Sequence, residues 1–137
     1  MKTAFDHPFT PATNRAGIPA QWAWHHQALL QVHARIRRER EERGAALRTA
    51  LERGGADLGD SAIEEREHAE LLVALSTEEA EIAEVEAAID RIRNGTYGVC
   101  VVTGRAIALA RLRAVPWTRF SQEAAETRER SHLAARH

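Results

Sequence analysis

Cysteine is almost missing from this chain: Cys100 is the single one in 137 residues. A lone cysteine excludes an internal disulfide framework and fits a reducing cytosol. Aromatic residues make up only 5% of the sequence. With so few of them, and with Ala, Glu and Arg dominant, the composition favours long exposed helices over a large compact core. No apolar run approaches the roughly 18 residues that span a bilayer, and nothing resembles a secretory signal. A cytoplasmic protein without membrane contact is expected. The net charge of -1 supplies no global basic field that would argue for nucleic acid. No nucleophile–base pair, phosphate loop or pair of general acids stands out, so no enzyme is expected. The length suits one domain, or one domain with an extended arm.

Proline is scarce and unevenly placed. Pro8, Pro11 and Pro19 fall in the first 19 residues, which read as an irregular N-terminal arm packing on its neighbours through Phe5 and Phe9. Residues 20–53 then hold no proline, and good helix formers dominate them. Leu29, Val32, Ile36, Leu47 and Ala50 recur at helical steps. The stripe thins at Arg40, Arg43 and Gly44, where arginine stems can cover a seam while their charges stay wet. Gly54, Gly55 and Gly59 break the helix, and Asp60 or Ser61 is placed to cap the next one. Ser61 with Glu64 also fits a capping box.

The second helix is expected over residues 61–94, stopped by Asn94-Gly95. Leu72, Leu75, Ile82, Val85 or Glu86, Ile89 and Ile92 trace its heptad stripe, with Glu79 as a polar interruption. This helix is rich in glutamate and the first in arginine. A short turn makes the two antiparallel, and the unlike charges favour pairing, though each exposed pair contributes under about 1 kcal/mol. Thirty-odd residues at about 1.5 Å each give an arm of roughly 50 Å. The expected fold is mainly α. A long antiparallel helical hairpin (20–94, tip at 54–62) joins a small globular domain and a C-terminal helix (95–137).

In that last region Tyr97, Val99, Val101, Val102 and Ile107 surround a Thr103-Gly104 turn signal that fits a short β-hairpin. Leu109, Leu112, Val115, Trp117 and Phe120 follow, and a helix is expected from Thr118 or Arg119 to Ala135. Cys100 stands three residues before Thr103, and Ser121 three before Ala124. Cysteine in all four places would make two CxxC knuckles for structural zinc. One thiol with two hydroxyls and a methyl does not bind zinc comparably, so the frame is read as degenerate, with no metal and no cofactor. Without a metal, these apolar residues must build a core with Trp22 and Trp24. His25-His26 with Cys100 is the other metal arrangement to weigh, but adjacent histidines point to different helix faces. Cys100 reads as a small buried hydrophobe.

The frame resembles the DksA/TraR family of bacterial regulators. Gly95-Thr96-Tyr97-Gly98 precedes it and Arg111-Leu112-x-Ala114-x-Pro116 lies within it. The similarity runs over roughly residues 60 to 125. The hairpin turn adds Asp57-x-x-Asp60-x-Ala62, a pattern that DksA-like proteins carry at the tip of their coiled coil. Asp60 stands 40 positions before Cys100, the spacing that the family has. The resemblance implies a regulator that inserts its hairpin into the secondary channel of RNA polymerase. Asp57, Asp60 and Ala62 would then lie near the catalytic centre. On their own these residues also suit a turn former, a helix cap and a first-turn residue.

DksA proteins help to bind the alarmone guanosine tetraphosphate of the stringent response through basic side chains. The matching positions here hold Glu84, Val115 and Ala125, none of which pairs with a phosphate. Arg111 and Arg113 either offer another basic surface or stand in solvent. A monomeric arm without sequence-specific DNA binding is expected. The rival reading is a coiled-coil adaptor or homodimer that keeps the frame and binds another partner.

Overall fold

The computed structural model describes residues 17–53 and 61–135. The N-terminal arm up to residue 16, the turn with Asp57 and Asp60, and residues 136–137 lie outside the described residues. A 3-10 turn over Ala20–Trp22 leads into helix α1, Ala23–Arg53. Then come α2 (Ser61–Asn94), the short α3 (Leu109–Ala114) and α4 (Gln122–Ala135). Among the described residues, those up to Leu30 and from Ala87 form one compact unit, and Gln31–Glu86 form another.

Within Gln31–Glu86 the helices run antiparallel, as their charges and the glycine-rich break require. His33 meets Glu86 at 2.9 Å, Arg40 meets Glu79 at 3.4 Å, and Arg43 meets Glu78. Partners descend on α2 as they ascend on α1. Shielded positions on α2 include Glu64, His68, Leu71, Leu75, Glu78, Ile82 and Val85, stepping by three and four. This bears out Leu75, Ile82, Val85, Ile89 and Ile92 and shifts the expected seam by one residue in two places. Leu71 and Glu78 face inward, whereas Leu72 is 56% exposed and Glu79 lies outside.

Helix α2 ends where glycine allows it to. Gly95 takes φ +86, and the amides of Thr96 and Tyr97 both donate to the Arg91 carbonyl, at 2.9 and 3.1 Å. Asn94 Oδ1 accepts from the Thr96 amide and hydroxyl.

The core of the other unit gathers Ile18, Leu29, Ile89, Ile92, Tyr97, Cys100, Ile107 and Leu112, all nearly inaccessible. Each large aliphatic among them contributes about 1.5–3 kcal/mol of burial. Val101, Val102 and Leu109, expected in this core, are instead more than half exposed, and Trp24 is 45% exposed. The expected β-hairpin is reduced to one antiparallel bridge, Val99 to Ala106. The C-terminal helix starts at Gln122 rather than at Thr118 or Arg119. Ser121 Oγ accepts the Ala124 amide at 3.1 Å and so caps its first turn.

Candidate functional site

The backbone brings the two halves of the finger frame together. Cys100 N–H donates to Arg105 O at 2.8 Å and Gly104 N–H to Cys100 O at 2.9 Å, closing the first turn on Gly104 at φ +73. Val101 N–H donates to Arg119 O at 2.9 Å, which draws the Ser121 segment beside it. Cys100, Thr103 and Ser121 therefore converge, with the buried Ala124 methyl in the fourth place.

The amide and hydroxyl of both Thr103 and Ser121 donate to the Cys100 sulfur. The Thr103 hydroxyl also accepts from the Arg105 amide at 3.2 Å, as Ser121 accepts from Ala124. Each hydroxyl is thus used as donor and as acceptor. Burial pushes the Cys100 thiol up, but these four hydrogen bonds outweigh it and bring it down to about 6. Cys100 is the small buried side chain expected, nearly inaccessible within the core. The donor set does not fit zinc, which takes four nitrogen, sulfur or carboxylate ligands in a closed structural site. Among the described residues no group of three or more His, Cys, Asp or Glu could hold a metal either.

Two arginines and a tyrosine tie the segment before α4 to its surroundings. Tyr97 OH donates to Pro116 O at 2.8 Å, and burial raises its phenol to about 12 against the opposing pull of Arg91. Arg91 donates to Trp117 O at 3.1 Å and to Thr118 O at 3.4 Å. Arg111 donates through Nε to Phe120 O at 2.7 Å, and through its other nitrogens to Gln122 Oε1 and Thr118 Oγ1. Arg113 lies over the Trp24 ring, 4.5 Å from its centroid. Arg113 is exposed, as one of the two sequence readings allows, whereas Arg111 is a clamp.

Sequence reasoning also missed the burial of His25, which is only 6% exposed. Its ring lies edge-on to Trp22 at 5.1 Å and Trp24 at 5.0 Å, with Tyr97 at 5.8 Å. Neither ring nitrogen has a hydrogen-bond partner. Burial, then the charge of Arg113, lowers its pKa. The neutral form therefore belongs to the fold: its stabilisation is complete above the ordinary histidine value and is lost as pH falls through the lowered one. Melting temperature is expected to drop between about pH 7 and pH 5, more steeply than in His25→Phe, which fills the same aromatic nest without a titrating group. Parallel profiles for the two proteins would assign the acid sensitivity elsewhere.

At the hairpin end Ala62 is exposed in the first turn of α2. Glu84, Val115 and Ala125 are each half-buried.

Residues 95–130 match the family model described as the prokaryotic dksA/traR C4-type zinc finger. That span covers both halves of the frame. The chain is 38% identical over 104 residues to the RNA polymerase-binding transcription factor DksA of Caulobacter vibrioides, covering 76% of this chain and 72% of that relative. It is 45% identical over 62 residues to an uncharacterised protein of Aquifex aeolicus, covering 44% of this chain and 43% of that one. Its fold is similar to the solved structure of transcription factor DksA2 from Pseudomonas aeruginosa. The TM-score is 0.72 at 27% identity, covering 86% of this chain and 88% of that one. Sequence, finger frame and helical hairpin agree, and the chain belongs to the DksA/TraR family.

Proposed function

We propose that this protein is a transcription regulator that binds bacterial RNA polymerase and acts from its secondary channel. The observation that carries this reading is the match to a relative named for polymerase binding over 72% of that relative's length. The antiparallel helices of Gln31–Glu86 supply a slender arm suited to a pore. Asp57, Asp60 and Ala62 are the residues assigned to the polymerase, the two aspartates as carboxylates that hydrogen-bond to it or perturb its charged centre. Regulation comes from binding one polymerase state in preference to another rather than from chemistry on a substrate.

The finger frame coheres without zinc, through the polar contacts of Cys100 and the arginine clamp. Such a frame keeps its shape when zinc is scarce, which suits a stand-in for a zinc-containing paralogue. The alarmone site of the family is not used, because Glu84, Val115 and Ala125 offer phosphate no partner. No helix among the described residues is long and apolar enough to cross a membrane. The working form is a cytoplasmic monomer that does not read DNA sequence. A homodimer or adaptor would instead pair the arginine and glutamate faces between chains, and mass measurement in solution separates the two.

Co-purification with polymerase core, followed by transcription from a stable-RNA promoter, tests the proposal. Asp60→Asn is expected to keep binding while losing most of the regulatory effect. Equal activity of wild type and variant would overturn the assignment of the tip. Absence of any association with core would overturn the polymerase reading itself.

A further inference from the structure

Helix α2 carries two overlapping helical stripes. One runs through Leu71, Glu78 and Val85, the other through Leu72, Glu79 and Glu86, and both share Leu75 and Ile82. Turning the helix by about 100° exchanges one for the other. Apolar packing does not decide between them at mid-arm. There Gly44 of α1 has no side chain, its nearest neighbour being Arg48 at 3.7 Å from where a Cβ would stand. A groove of about 670 Å³ opens beside it, lined by Leu75 and Ile82 together with Arg40. Side chains that face open space hold a helix loosely about its own axis.

What does discriminate there is charge, the buried Val85 (1% exposed) deciding only nearer Glu86. Glu78 occupies a seam position with its side chain only 9% exposed, paired with Arg43. Arg40 holds the neighbouring Glu79 outside the seam at 3.4 Å. The arrangement is costly: Glu78 Oε1 and Arg40 Nε are buried without partners. Replacing a shielded ion pair by an apolar pair of similar volume is often neutral or stabilising. A polar layer at a coiled-coil seam characteristically gives up stability for register.

We infer that the Arg43–Glu78 pair, flanked by Arg40–Glu79, sets the rotation and register of α2 against α1. Arg43 and Glu78 are thereby positioning residues for whatever the hairpin end presents. Breaking the layer frees α2 to take either stripe as its seam, and Leu72 (56% exposed) is the apolar residue waiting on the alternative one. The bearing of this on transcription rests on the polymerase reading above, whereas the register itself does not.

Spin labels on ketone-bearing side chains at the exposed positions Thr49 and Ala69 leave Cys100 untouched. Pulsed dipolar spectroscopy on the full chain then reads the register directly. Wild type is expected to give a single narrow distance. Arg43→Met with Glu78→Leu is expected to lose that single peak to a broad or split distribution, while helix content and melting temperature hold or rise. A single narrow peak at the wild-type distance in this folded double variant overturns the inference. Should the double variant fail to fold, isosteric Glu78→Gln takes its place: broadening is expected, and an unchanged peak overturns. The measurement needs no polymerase, so its outcome is independent of whether the arm binds that enzyme.

Discussion

Replacing Gly98 by alanine is expected to be among the most damaging single-methyl changes available in this chain. Gly98 takes φ +84, where an L-residue costs about 1–2 kcal/mol. The added Cβ would also stand 3.0 Å from two atoms of the Trp22 ring and 3.7 Å from Leu112. A rigid indole wedged against Tyr97 at 4.8 Å does not give way cheaply, and overpacking of this kind adds about 1–3 kcal/mol. The combined loss corresponds to a melting temperature lower by roughly 10 °C. Gly95 provides the control. It has a similar φ of +86, but an added methyl there would meet nothing within 4 Å. Gly95→Ala is therefore expected to show the backbone cost alone, about 1–2 kcal/mol. Equal destabilisation of the two variants in thermal melts would remove the close approach of Trp22 from the account.

Loss of the Arg111 guanidinium is expected to rank beside it. Arg111→Met keeps the aliphatic stem and removes donors to Phe120 O, Gln122 Oε1 and Thr118 Oγ1. Hydrogen bonds from a charged group contribute about 1.5–3 kcal/mol when made well, and the 2.7 Å contact to Phe120 is the strongest of the three. A net loss of about 2–3 kcal/mol is expected. Arg111→Lys recovers little, because an ammonium cannot reproduce a planar fork reaching three acceptors. A chelator, by contrast, is expected to leave the melting temperature of wild type unmoved. A chelator-sensitive melt with an Arg111-insensitive one would reverse the roles assigned to metal and guanidinium.

The hairpin is legible in the sequence because two physical signals agree. Apolar residues recur at three and four over residues 61–94, and glycines punctuate residues 54–59. The offset of the seam by one residue has an equally plain cause. Leu71 and Leu72, Glu78 and Glu79, and Val85 and Glu86 are neighbours that serve either stripe, so periodicity leaves the rotation open. Only the partners on α1 discriminate, and those are non-local. The finger frame is readable from spacing at Cys100, Thr103, Ser121 and Ala124, and the poor fit to zinc follows from residue chemistry alone.

The manner in which the frame coheres is not readable. Arginine donors to backbone carbonyls leave no periodic signature, so Arg111 looks like an ordinary surface charge. The six-residue helix Leu109–Ala114 is too short to announce itself. Their β-branched chemistry points Val101 and Val102 inward. They sit instead on the turn around Gly104, while Tyr97, Cys100 and Ile107 fill the interior. His25 escapes notice because the default for a histidine is exposure, and its burial depends on tertiary contact with Tyr97.

All three tryptophans, Trp22, Trp24 and Trp117, belong to the unit that also holds Tyr97, and Gln31–Glu86 contains no aromatic ring apart from its histidines. Intrinsic fluorescence and near-ultraviolet dichroism are therefore blind to fraying of the arm, whereas the far-ultraviolet helix signal draws more than half of its α-helical residues from it. Denaturation curves followed by the two kinds of light would superimpose only if both units unfold together. The protein thus carries its own reporter of whether its two units unfold cooperatively.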